Sequence, residues 1–358
     1  MVPDAVNLTT VQRVLVVKLR HHGDVLLSSP VFHVLKRRAP HAEIDALVYS
    51  DTRDMLEGHP AIARIHTIDR AWKRQGLVTQ ARRELDLLKT LQARRYHLLV
   101  HLTDHWRGAW LAQALRPRWS VAPARASRVW NWSFTHRFKL PRATPRHAVE
   151  ANLDALRRLG IYPAESEKSL VMVPGTEAEQ RIDALLAAAS IVPQGVIQVH
   201  PASRWLFKTW TEENNARILA ALARDGHRIV LTGAPDPRER AIVARILAQA
   251  AVPVLDLSGQ LNLRELAALS ARARLFFGVD SAPMHIAAAM GTPVVALFGP
   301  SGEKEWAPWR VAHRVVTSSH PCRPCGNDGC GGGKVSECLT LLPVDDVHSA
   351  VNELLSQR

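Results

Sequence analysis

The sequence predicts an α/β protein made of two doubly wound domains, and three observations point that way. Its 358 residues suffice for two domains of roughly 150 residues each. Short β-branched apolar runs alternate with amphipathic stretches over most of the length, the pattern of parallel sheets covered by helices on both faces. The excess of positive charge is confined to the N-terminal part. Residues 1–150 hold 25 Lys and Arg against 12 Asp and Glu, whereas residues 151–358 hold 21 of each, so the whole net charge of +13 lies in the N-terminal part. Two domains with different partners follow, at least one partner being anionic.

In the first domain, residues 14–17 read as a buried strand and 25–38 as the helix after it; 43–49, 64–68 and 97–102 read as further strands. The clearest helix covers 78–95, where Leu85, Leu88 and Leu91 share a face and Arg82, Arg83, Lys89 and Arg94 lie around the remainder. In the second domain, strands are predicted at 196–199, 227–231, 252–257, 275–279 and 293–298. Helices are predicted near 212–223, 238–250, 263–271 and 282–290. Pro163, Pro174 and Gly175 punctuate the stretch between the halves, and the domains are placed at 1–170 and 171–358. Ligands of such sheets sit beyond the carboxyl ends of the strands, so the chemistry is expected in a cleft between the domains.

Several function classes drop out. No apolar stretch nears the roughly 20 residues of a membrane span, and the apolar run 14–17 is too short for a signal-peptide core. A cytoplasmic protein with reduced thiols is expected. The first strand–helix turn holds Gly23 alone instead of G-x-G-x-x-G, against a nicotinamide dinucleotide. Gly331-Gly-Gly-Lys334 is followed by Val335 and follows no strand, so it is not a phosphate-binding P-loop. The basic excess invites nucleic acid, but no nucleic-acid-binding module is identifiable and none is expected as a partner.

Three polar clusters follow predicted strands. In Lys18-Leu-Arg-His-His-Gly-Asp24, Arg20, His21 and His22 crowd the turn, and Asp24 either caps the helix predicted from Val25 or acts as a base. The loop His200 to Trp210 offers Lys208 as a point charge for phosphate and Ser203 as a hydroxyl. In Phe276 to His285 a strand runs into a helix start. Small residues Ser281 and Ala282, with Pro283 in the first turn, leave an open anion site. Asp280 there either meets a sugar hydroxyl or caps the helix, and His285 faces the same pocket or packs.

These three motifs, in this order and spacing, resemble the ADP-heptose:lipopolysaccharide heptosyltransferases of glycosyltransferase family nine. Residues 18–25, 203–208 and 280–300 look most like the members that add the third core heptose. The resemblance implies the GT-B architecture of two facing Rossmann-like domains. It also implies inverting transfer of heptose from ADP-L-glycero-β-D-manno-heptose to the lipopolysaccharide inner core. Asp24 matches the family's general base, and Lys18 a basic residue of the acceptor half, with Arg20 and His22 beside it. Lys208 matches the lysine on the donor diphosphate; Asp280, Ser281, Ala282 and His285 match the pyrophosphate loop, to which Ser203 is added. Ser281-Ala282 stands where the first heptosyltransferase has Thr-Gly, which keeps the backbone role and leaves side-chain contacts open. An acidic contact to the nucleoside is implied in Thr232 to Glu239, with Asp236 or another group supplying it. A transferase of the same fold using another nucleotide sugar is the alternative.

Fixed positive groups would neutralise the departing diphosphate, no Asp-x-Asp motif is present, and no cofactor is needed for catalysis. Candidates to hold an anionic acceptor are Arg82, Arg83, Arg94, Arg95, Arg125, Arg128, Arg137 and Arg142. Trp106, Trp110, Trp119, Trp130 and Trp132 lie among them, a mixture suited to sugar stacking or to the inner-membrane surface at its cytoplasmic face. All four cysteines, Cys322, Cys325, Cys330 and Cys338, fall in one Gly-rich segment. Their compactness suggests a structural metal such as zinc, with an iron–sulfur cluster or plain reduced thiols as alternatives.

Overall fold

A computed structural model describes residues 4–140 and 145–357; Arg142, one of the candidate cations, lies outside the described residues. The chain divides into two compact units, Met1–Met172 and Val173–Arg358.

The first unit holds strands β1 (Arg13–Val17), β2 (Glu43–Tyr49), β3 (Arg64–Ile68), β4 (Leu98–His101), β5 (Trp119–Pro123) and β6 (His136–Phe138). Its helices are α1 (His22–Leu26), α2 (Ser29–Arg38), α3 (Leu77–Ala93), α4 (Arg107–Leu115), α5 (Arg128–Trp132) and α6 (Ala148–Arg158). The second unit holds β7 (Val196–His200), β8 (Arg228–Leu231), β9 (Leu255–Asp256), β10 (Leu275–Val279), β11 (Val294–Leu297) and β12 (His313–Val316). Its helices are α7 (Thr176–Ala188), α8 (Glu212–Arg224), α9 (Pro237–Ala250), α10 (Leu263–Arg272), α11 (Ala282–Ala289), α12 (Glu303–Trp306), α13 (Glu337–Thr340) and α14 (Val344–Ser356).

Both sheets are parallel throughout, in the orders β3-β2-β1-β4-β5-β6 and β12-β11-β10-β7-β8-β9. The strand order reverses beside the first strand of each unit, between β1 and β4 and between β7 and β10. At such a reversal neighbouring crossovers leave in opposite directions and open a crevice at the carboxyl edge of the sheet.

Both faces of each sheet are covered, which is why the strands read as apolar runs. On one face of the first sheet Leu15, Val17, Leu99 and Ala122 pack against Leu91, Leu111, Trp130 and Phe134 from α3, α4, α5 and the segment after it. In the second unit Val199, Leu231, Phe277 and Val279 face Ile218, Leu222, Val243 and Val351, while Phe276, one residue out of phase, packs with Met284 and Phe298.

The structure departs from expectation in three places. The helix predicted over 25–38 is two helices: Pro30 lies in the first turn of α2, where its missing N–H is harmless, and the Ser28 hydroxyl donates back to the Val25 carbonyl at 2.7 Å. Strands β5, β6 and β12 were not expected, and the strand expected over 252–257 shrinks to the two residues of β9.

Three of the buried imidazoles are strongly shifted by desolvation. Burial lowers His59 and His200 from the usual 6.5 to about 4 and His101 to about 3. The unfolded chain takes up these protons near pH 6.5 and the folded chain does not. Stability is therefore level above that pH and falls as pH drops from 6.5 toward 4. Urea midpoints measured from pH 7.5 to 5 are expected to fall accordingly, by on the order of 1–2 kcal/mol per imidazole.

Candidate functional site

In the first unit the polar residues gather at the reversal between β1 and β4. Asp24 lies inside the first turn of α1, not ahead of it, and the cap position belongs to His21, which makes no side-chain capping bond. Asp24 therefore does not cap the helix. Among the described residues its half-buried carboxylate has no hydrogen bond or ion pair. His22 Nε2 lies 2.7 Å from the Asp51 carbonyl, and the Arg20 guanidinium reaches Asp104 at 3.3 Å across the reversal. Arg70 braces the same turn, donating to the Arg20 carbonyl at 3.0 Å.

Lys18 departs from the expected role. It is buried, and its ammonium is turned inward to Asn152 Oδ1 at 2.9 Å and the Leu102 carbonyl at 3.4 Å. Desolvation pulls its pKa down, partly opposed by the charge of nearby Asp24. With these two contacts the Lys18 ammonium is held inside the unit, tying the end of β1 to α6, instead of being presented at the surface. Asn152 Nδ2 also donates to the Leu27 carbonyl at 3.0 Å, so one amide ties the end of β1 to the end of α1.

Arg125 donates to the Asp104 carbonyl at 2.5 Å and lies 5.2 Å from the ring centres of both Trp106 and Trp130. Arg128 is exposed on α5. Arg94 is removed from the acceptor candidates: it is held by Asp45 and Glu43, each at 2.8 Å, and is nearly covered. Arg137 donates to the Asn131 and Phe134 carbonyls.

In the second unit the loops after β7 and β10 meet at the other reversal. Lys208 Nζ donates to Asp280 Oδ2 at 2.6 Å, with Asp280 buried and Lys208 about one-fifth exposed at 22%. Asp280 is thus neither cap nor free acceptor but the anchor that aims Lys208. An ammonium has three N–H donors, so this pairing leaves two for a ligand. Ser281 occupies the cap position of α11 without a capping bond, its hydroxyl donating to the Val279 carbonyl at 3.1 Å. The first N–H groups of the helix, beginning at Ala282, therefore lack a side-chain acceptor, as an anion site requires. Ser203 is buried and accepts from the Trp205 N–H at 3.3 Å, so it shapes the loop; His285 is buried within α11. Trp210 is a core indole bonded to the Leu342 carbonyl.

Gly278 marks how closely the two strands approach there. A Cβ on it would lie 2.7 Å from the His200 carbonyl oxygen, backbone that cannot swing away. Gly278→Ala is expected to spread β7 from β10 at a stability cost on the order of 1–3 kcal/mol; thermal melts check it.

Of the acidic groups in the loop after β8, Asp236 caps α9 by accepting from the Arg238 N–H at 2.9 Å, and Glu239 is buried against the Ala234 N–H at 3.3 Å. Burial raises the Glu239 pKa. Asp104, Asn152 and Arg70 were missed by the sequence reading. Asp104 follows a predicted strand as Asp24 does, and that position was its only signal.

The four cysteines expected to ligate a metal lie within electrostatic reach of one another, and Cys322 is hydrogen-bonded to Cys325. Cys322 is exposed, Cys325 and Cys330 are half-buried and Cys338 is buried. Among the described residues no three His, Cys, Asp or Glu side chains converge to hold a metal ion. The segment also braces the loops after β11 and β7 by hydrogen bonds. Arg323 donates to the Gly299 carbonyl at 2.8 Å, and the Ser336 hydroxyl to the carbonyl of Phe207, the neighbour of Lys208, at 2.6 Å.

Residues 84–335 match the family model described as glycosyltransferase family 9 (heptosyltransferase). The chain is 33% identical over 346 residues to lipopolysaccharide heptosyltransferase 3 of Escherichia coli K12, covering 95% of this chain and 97% of that one. Among solved structures it resembles a family 9 glycosyl transferase from Veillonella parvula, with a TM-score of 0.85, 22% identity, and coverage of 99% and 100%. It also resembles E. coli heptosyltransferase WaaC with ADP-2-deoxy-2-fluoro heptose, with a TM-score of 0.72, 20% identity, and coverage of 96% and 99%.

Proposed function

Because the chain belongs to glycosyltransferase family 9, the heptosyltransferases, and has their two-unit GT-B fold, we propose that it moves heptose from ADP-L-glycero-β-D-manno-heptose to the inner core of lipopolysaccharide, adding the third core heptose. The observation that carries this reading is the division of labour between the two strand-order reversals. One presents an unengaged carboxylate, the other an anchored ammonium beside an uncapped helix start.

Inverting transfer needs a base on one face of the sugar and stabilisation of the departing diphosphate on the other. Asp24 takes the proton of the acceptor hydroxyl as it attacks the anomeric carbon. Lys208, held by Asp280, and the N–H groups at the start of α11 meet the charge that develops on the diphosphate as the glycosidic C–O bond breaks. These groups are fixed before the substrate arrives, and the scheme calls on no metal. Arg20 and His22 flank Asp24 in the chain on the acceptor side, and Arg125 and Arg128 are the further cations offered to an anionic acceptor. No helix among the described residues is long and apolar enough to cross a membrane. A lipid-linked, anionic acceptor places the working enzyme at the cytoplasmic face of the inner membrane.

The test is ADP release from the ADP-heptose donor with lipopolysaccharide cores truncated after zero, one or two heptoses. Release with the two-heptose acceptor alone supports the full reading. Release with a shorter one moves the enzyme earlier in core assembly. No release from folded protein with any of them rejects ADP-heptose as donor and turns the search to other nucleotide sugars.

A further inference from the structure

The most exposed large apolar side chains among the described residues are Leu77 and Val78, at 86% and 84%, and they are adjacent in the first turn of α3. Nothing in the reaction uses them. Their position follows from the way α3 lies along α4. Glu84 pairs with Arg107 through two bonds of 2.7 and 2.8 Å, setting the eighth residue of α3 beside the first residue of α4. Seven residues of α3 therefore run past the start of α4, a projection of about 10 Å at 1.5 Å per residue.

The projecting turns carry Arg82 and Arg83, both exposed and without an ion pair among the described residues. The neighbouring helices continue the same surface. Trp106 and Trp110, one turn apart on α4, are half-exposed; Trp106 meets Trp130 of α5 edge-on at 5.8 Å; and Trp132 on α5 is 78% exposed. The helices α3, α4 and α5 share one face of the sheet. They begin at its carboxyl edge, the edge that carries Asp24. Apolar tips, indoles and unpaired guanidinium groups at one rim are what an anionic lipid surface recognises: the first two enter the headgroup layer and the last meet its phosphates. The net charge of +13 in residues 1–150 is complementary to that surface.

We propose that the projecting start of α3, with the exposed indoles of α4 and α5, is the face by which this protein docks on an anionic bilayer. The inference rests on the reading of a lipid-linked acceptor, and it adds which residues touch the lipid. Docking there sets the edge bearing Asp24 toward the headgroup layer.

The full chain is sedimented with vesicles of phosphatidylglycerol and phosphatidylethanolamine, and with phosphatidylcholine vesicles as control. A Leu77→Ser/Val78→Ser variant, altered only at solvent-exposed positions, is run in parallel, with ADP release measured on a delipidated core oligosaccharide. The expected result has three parts. The wild type sediments with the anionic vesicles only and is released by salt. The variant loses about tenfold or more in partitioning. ADP release on the soluble acceptor is equal for both. Wild-type protein left in the supernatant, or a variant that sediments as fully as wild type, overturns the proposal. A concentration-dependent dimer abolished by the same variant assigns the face to a second copy and overturns it too. Absence of ADP release from both proteins indicts the heptosyl-transfer reading, while the sedimentation result stands on its own.

Discussion

Asp24→Asn is expected to lower turnover by about a thousandfold, within the range of 10²–10⁴ typical for loss of a general base, with ADP affinity unchanged. The carboxylate is a base candidate because the local structure gives it nothing else to do. It lies within the first turn of α1 without capping it, and it has no hydrogen bond or ion pair among the described residues. The substitution removes no hydrogen bond, only the charge that offsets the desolvation of buried Lys18, and should lower the melting temperature by about 2–4 °C. Lys18 lies within electrostatic reach, held in place by Asn152. Asn152→Ala should therefore lower turnover by a smaller factor while lowering stability, the signature of a positioning residue. The decisive measurement is single-turnover ADP release beside ADP titration. An unchanged rate in Asp24→Asn removes it from the mechanism, and a rate lost together with ADP binding shows a misfolded site.

Lys208→Ala is the second large effect, and it has two components that a control separates. Loss of the ammonium should weaken ADP binding and reduce turnover by about a hundredfold, as expected for one preorganised group on a developing anion. It also leaves Asp280, buried and 2.6 Å from the missing nitrogen, without its partner. That should cost on the order of 2 kcal/mol of stability. Adding Asp280→Asn removes the orphaned charge. The double variant should regain most of the stability and none of the ADP affinity. If affinity returns with stability, Lys208 serves the loop and not the diphosphate.

What could be read from the sequence follows the physics of the elements concerned. Strands β1, β2, β7, β10 and β11 are central or next to it, covered on both faces, and so are spelled mainly by apolar residues, with Asp45 in β2 and Gln198 in β7 as buried exceptions. Strands β5 and β12 escaped because they carry Ser120, Pro123, His313 and Arg314, and β6 because a three-residue edge strand has too few positions to show a pattern. Asp24, Lys208 and Asp280 were legible because each sits where a strand gives way to a helix or loop, the one location that topology reserves for ligands. Which polar residues pair across a reversal was not legible. Arg20 with Asp104 and Lys18 with Asn152 are 84 and 134 residues apart, and only the order of strands in the sheet brings them together. Lys18 was taken for an acceptor contact from the resemblance and Arg94 from charge, but neither reports which way a side chain turns. Four thiols within 17 residues are close along the chain and also in space, and the backbone between them additionally anchors the loops at Gly299 and Phe207.

The same strand order occurs twice in this chain, each time around a separate hydrophobic core. This gives the molecule a seam along which descent can act. On the proposed reading, recognition of the activated sugar and recognition of the growing saccharide are written in different stretches of gene, each stretch folding around its own sheet. Loops after β1 and β4 can drift, and with them the hydroxyl that is extended, while Lys208, Asp280 and the start of α11 stay as they are. A set of enzymes sharing one donor and dividing successive acceptors among themselves is the outcome such a seam favours. Recombinants joined near residue 172 would show how far the exchange can be carried.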